Sequence, residues 1–145
     1  MNALRLLERV HGHLGWLAAV ALLHPAILLR NPRRRARLSV VLATAFATLS
    51  GALGAFIYAD YSRTLRRTIY LASTRYGLLF ERKEHLGFAA IALAWAGCLL
   101  HLTARSDDPT AATRARAAHL AFVAAAALTI VVATLGTVIA SFRSF

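Results

Sequence analysis

The chain has 145 residues, 59% of them hydrophobic, a formal net charge of +11 and a single cysteine. Soluble domains carry roughly 45–50% apolar residues, so the composition favours lipid as the surrounding medium. One cysteine excludes a disulfide framework, the Cys-x-x-Cys-His attachment of c-type haem and the usual cysteine-held iron–sulfur clusters.

Residues Met1 to Val10 read as an amphipathic lead-in, with Asn2 as a cap and Ala3, Leu6, Leu7 and Val10 at helical spacing. The first apolar segment, Gly12 to Leu29, is expected to remain in the protein. Glu8, His11 and His13 interrupt its start, and no small-residue cleavage site follows. Arg30 to Arg37 (RNPRRRAR) then ends the helix with Pro32 and five arginines.

The second apolar segment is Leu38 to Ala59. It is followed by a longer basic connector, Asp60 to Glu84, in which Tyr61, Tyr70 and Tyr76 alternate with Arg63, Arg66, Arg67 and Arg75. Aromatic rings at headgroup depth and arginines toward anionic lipid predict a short interfacial helix there. The third segment is Leu86 to Ala104. Ser106-Asp107-Asp108-Pro109 gives a start signal before the fourth, Ala117 to Phe142.

Each segment has roughly the 17–25 residues needed to cross ~30 Å of hydrocarbon. The predicted fold is therefore all-α: a single domain over residues 1–145, an up-and-down four-helix transmembrane bundle with a basic interfacial segment between helices two and three. Arginines at segment ends read as membrane-surface charge and exclude nucleic acid as a partner. Of the 17 Lys and Arg residues, nine fall on the side of the N-terminus (side A) and eight on the other (side B). The dense run Arg33-Arg34-Arg35 favours side B as cytoplasmic, because short loops weigh most in the positive-inside rule. The expected location is the inner (plasma) membrane of a bacterium.

All six histidines, His11, His13, His24, His85, His101 and His119, lie within these segments or at their ends, whereas Asp, Glu, Lys and Arg avoid the segment interiors. Intramembrane polar groups are costly and are functional candidates by default. His11, His13 and His85 lie toward side A and His24, His101 and His119 toward side B. The two layers are ~16–20 Å apart along the first helix. Neutral imidazole is a common axial ligand of haem iron, and a flat porphyrin needs small residues where it passes a helix. Ala47, Gly51 and Gly54 supply such a stripe on helix two, and Ala126, Ala133 and Thr137 on the face of His119. Helix three has two stripes: Ala89, Ala92 and Ala96 below His85, and Gly87, Ala90, Ala94 and Gly97 below His101. Close helix packing in lipid uses the same residues.

His13 and His24 are ~20° apart around the helix and share a face, whereas His11 and His24 are ~140° apart. His13 with His85, and His24 with His119, are the expected pairs. His11 and His101 are the alternates, and His101 becomes the partner of His24 if helices one and three are diagonal. The structural alternatives are an interfacial role for His11 and His85, a structural role for His101, and a hydrogen bond from His24 to a carbonyl freed by Pro25.

On these histidines and stripes the chain resembles small di-haem b-type membrane cytochromes. Members commonly carry two histidines on each of two helices; here the second apolar segment has none. The resemblance implies two b-type haems with bis-histidine ligation and electron transfer from a quinol or protein donor. It implies a subunit or anchor of a respiratory or quinone-linked complex, with other subunits as partners, more than a stand-alone enzyme. Gly51 and Gly54 would then pack a haem. Arg66, Arg67, Arg75 and Lys83 on side A, and Arg30 and Arg33 on side B, would meet propionates, and the run Phe80 to His85 would add a proton-handling carboxylate beside a quinone pocket. Two other readings stand beside it: a cofactor-free accessory subunit and a histidine-lined metal or proton carrier.

Overall fold

The computed structural model describes residues 3–31, 36–104 and 109–141, apart from the side chains at 64 and 65. The roles read for Asn2, for Pro32 with Arg33, Arg34 and Arg35, and for Ser106-Asp107-Asp108 lie outside the described residues. Five α-helices account for nearly all of what is described: α1 (Ala3–Leu28), α2 (Arg37–Tyr61), α3 (Arg67–Ala72), α4 (Thr74–Leu102) and α5 (Ala111–Ser141). A π-helical turn, Ser62–Arg66, joins α2 to α3.

Helices α1, α2, α4 and α5 are long and apolar enough to cross a membrane. Their 26, 25, 29 and 31 residues span more than ~30 Å of hydrocarbon at 1.5 Å per residue, so their ends emerge on both sides. The chain is an integral membrane four-helix bundle. Helix α4 starts twelve residues before its apolar segment. The basic connector is thus largely helical: α3 is short, and Ser73 in extended conformation (φ −166°, ψ 118°) makes the one sharp break before α4. The Tyr70 ring covers Gly77, where an added Cβ would lie 2.6 Å from it, and Arg66 pairs with Glu81. These two contacts hold α3 against α4.

Around the bundle α1 packs on α2 and α5, and α4 on the same two, so α1 and α4 are diagonal. The core is built mostly from alanine, with Leu22, Val40 and Phe122 fully enclosed. Large apolar side chains point the other way: Val20 is 63% exposed, Ile27 68%, Phe56 73% and Phe88 68%. Lipid solvates such side chains as well as a protein core does, so small residues take the interior, where they let backbones approach. Gly97 shows the closeness, since a Cβ there would meet the Phe122 ring at 2.9 Å and the Ala118 carbonyl at 3.3 Å.

Hydroxyls and indoles tie the interfaces. Trp95 donates to Thr48 across α4 and α2 (3.0 Å), and Trp16 to Thr137 across α1 and α5 (3.2 Å). Thr44, the buried polar residue among those described, donates to Val40 O (2.9 Å) and reaches Ala94 O (3.4 Å).

Candidate functional site

The contacts between helices set the height of each histidine. His24 touches Ser39, Thr44 is level with Ala94, and Gly97 is level with Ala118 and Phe122. Stepping along the helices from these points brings His24, His101 and His119 to within about one turn, ~5 Å, of a common height on side B. The expected side-B layer is present. On side A the layer is looser. His11 sits against Ser50 and Gly54, and Gly51 against Ile91, which puts His85 ~5–10 Å nearer the membrane surface than His11 and further still from His13.

Direction separates the six. The buried residues of α1, Ala18, Ala19, Leu22, Pro25 and Ala26, mark its inner face. At ~100° per residue His11 lies ~20° from the centre of that face, His13 ~180° and His24 ~160°. His11 is accordingly half-buried, and His13 and His24 are exposed. On α4, His101 lies ~30° from the centre of the buried face and His85 ~170°, and His85 is exposed. His119 is half-buried on a flank of α5, its Nδ1 enclosed without a hydrogen-bond partner.

The shared face of His13 and His24 is therefore the outer face of α1. No group of three or more His, Cys, Asp or Glu residues is assembled among the described residues. His13 and His85 point outward from diagonal helices at different heights, and the structure does not bring them together. His24 and His119 share a height but not a face. With α1 and α4 diagonal, His101 takes its place beside His24 in the side-B layer, yet it too faces inward while His24 faces out. The signal for the inner face was the alanine set itself, since apolarity alone does not separate core from lipid.

The outward imidazoles are nonetheless oriented. His13 Nδ1 donates to Arg9 O (2.7 Å) and His85 Nδ1 to Glu81 O (2.9 Å). A carbonyl only accepts, so Nδ1 bears the hydrogen and Nε2 keeps its lone pair. His24 Nδ1 is 2.8 Å from Ser39 Oγ. Inside, His11 Nδ1 donates to Ser50 O (3.1 Å). A fixed Nδ1 that leaves Nε2 as the ligand atom is the arrangement of metal-bound histidines.

The small-residue groove of α2 is filled from within the bundle. A Cβ on Gly51 would clash with Ile91 Cδ1, and one on Gly54 would lie 2.8 Å from His11 Cε1. On α4, the stripe below His101 faces inward, with Ala90, Ala94 and Gly97 buried, and the stripe below His85 is exposed. The interior thus offers one imidazole per layer, and its remaining space is packed with side chains. It does not fit a bis-histidine haem held by one chain alone. The outer faces fit the donor chemistry: oriented imidazoles, with Nε2 left as the ligand atom at His13 and His85.

Of the arginines read as propionate contacts, Arg66 is engaged with Glu81, whose carboxylate holds the guanidinium above its usual range, and lies 6.0 Å from the Tyr70 ring centroid. Arg67 is exposed. No protein-family model, curated protein or solved structure matches the chain.

Proposed function

We propose that the chain is a membrane electron-transfer subunit that binds b-type haem through outward-facing histidines, each ligand pair being completed by a neighbouring chain of the assembly. His13 and His24 on α1, ~16 Å apart on one face, hold the two haems of the sequence-based expectation, one toward each membrane surface, with His85 on α4 and His119 on the flank of α5 as further ligands. The observation that carries this reading is the pairing of exposure with orientation: His13, His24 and His85 are exposed on membrane-spanning helices, yet each has its Nδ1 fixed by an oxygen. A bare imidazole toward lipid is costly, and a fixed Nδ1 is what metal-bound histidines share.

The haem, when bound, supplies reversible one-electron chemistry. The chain's residues hold and orient its ligand atoms, exclude water with the apolar outer faces, and leave Arg67 and Arg30 as exposed cations at the two surfaces for propionates. The electron donor is a quinol or a partner protein, in a respiratory or quinone-linked assembly, and the compartment is a bacterial plasma membrane. The test is a reduced-minus-oxidised spectrum of the tagged chain, extracted in mild detergent from its own membranes with whatever accompanies it. A b-type α-band supports the proposal. A colourless preparation from haem-replete cells overturns it and leaves a cofactor-free accessory subunit.

A further inference from the structure

The basic connector folds into a helical hairpin, and its outer face carries charge that no carboxylate of the described chain balances. Tyr70 rests on Gly77 and, one turn along each limb, Arg66 pairs with Glu81, so the π-helical turn and α3 run antiparallel to the start of α4. Arg67 and Arg82 each follow one of these contact residues by one step. On antiparallel right-handed helices that step turns both to the same side of the hairpin. Arg63, one turn before Arg67, joins them, and all three are exposed. The opposite side carries Gly77 and Phe80, both buried, and so faces the bundle. Glu81 is engaged by Arg66, and among the described residues no ion pair holds Arg63, Arg67 or Arg82.

Depth selects the partner. The apolar segment of α4 starts at Leu86, and Arg82 stands one turn, ~6 Å, outside it. Arg66 is level with Glu81, which brings Arg63 and Arg67 to within about one turn of Arg82 in height. The headgroup layer is ~5–8 Å thick on each side of the hydrocarbon, so the three guanidiniums stand among lipid phosphates. Arg75 shares their side of the hairpin but lies two turns, ~10 Å, further out. Guanidinium matches phosphate oxygens through its fork of N–H donors. A zwitterionic lipid brings its own cation to that depth. An anionic lipid brings net negative charge, which an unbalanced cluster of arginines attracts.

We propose that Arg63 and Arg82, with Arg67 alongside, form a site on side A for the headgroup phosphate of one anionic phospholipid per chain. The phosphate oxygens accept from the guanidinium N–H groups, and no covalent bond changes. The site does not rest on the haem reading. Arg67, the cation offered above to a propionate, is left unchanged in the test, so that loss of lipid and loss of haem are read separately.

The experiment is native mass spectrometry of the purified chain in detergent, titrated with phosphatidylglycerol or with phosphatidylcholine of the same acyl chains. Phosphatidylglycerol is expected to bind one-to-one and about tenfold or more tighter. Arg63→Gln with Arg82→Gln is expected to abolish that preference. Arg5→Gln with Arg75→Gln, at two exposed side-A arginines outside the site, is expected to keep it at the same loss of net charge. Circular dichroism checks that both variants fold, and if either does not, the comparison of the two lipids on the wild-type chain still decides. Equal binding of the two lipids, or equal loss in the two variants, overturns the proposal. Displacement of the lipid by millimolar inorganic phosphate assigns the site to a free anion and overturns the lipid as its occupant. So does an acidic protein that accompanies the wild-type chain and is lost in Arg63→Gln with Arg82→Gln while the lipid preference stays.

Discussion

At the scale of single residues, glycine and histidine divide the work of the bundle. Gly97 lets α4 and α5 approach until the Phe122 ring touches the backbone. Gly97→Ala is therefore expected to destabilise the bundle by about 1–3 kcal/mol, the usual result of overpacking. Gly87→Ala, where the nearest atom would be 4.0 Å away, is expected to be close to neutral. Thermal unfolding in the same lipid checks both, and equal effects would contradict the packing described here. The histidines were legible as a class, because imidazole was almost the sole intramembrane polar group in the sequence. Their directions were not. His13 and His24 were correctly placed on one face by helical angle, but which face looked inward depended on Ala18, Ala19 and Ala26, whose smallness marks the interior in a medium where apolarity does not.

At the scale of elements, the sequence located all four spanning helices, and the segment ends erred where polar residues continue a helix past the hydrocarbon. Helix α4 begins at Thr74, twelve residues before the apolar run, because nothing between Thr74 and His85 breaks a helix. The connector was expected as an interfacial helix, and only α3, with six residues, is separate. It is held by the Tyr70 ring on Gly77 and by the Arg66–Glu81 pair. Because that ion pair is largely exposed, Arg66→Gln is expected to leave the stability of the whole bundle nearly unchanged yet to speed amide exchange across α3. Unchanged exchange in α3 would show that the tyrosine alone holds it. The loss of hydration and the hydrogen bond to Glu81 both raise the Tyr70 phenol above its usual range, so this anchor keeps its hydroxyl proton through neutral pH.

At the scale of the whole molecule, the diagonal placement of α1 and α4 keeps the histidines of these two helices from pairing across one interface. His11 and His101 face inward on these diagonal helices at different depths, and His13, His24 and His85 face outward. Sequence spacing carried the two layers but held no information on helix order around the bundle, and pairing across a bundle depends on that order. The most direct measurement compares two variants of the tagged chain, isolated from its own membranes with equal helical content by circular dichroism. In His13→Leu with His24→Leu, the reduced b-type α-band and the pyridine haemochrome count should fall to background, whereas in His11→Leu with His101→Leu both should keep most of the wild-type haem, because the inward imidazoles are not the proposed ligands. Loss of haem from the inward pair, with the outward pair unaffected, would contradict the outward assignment.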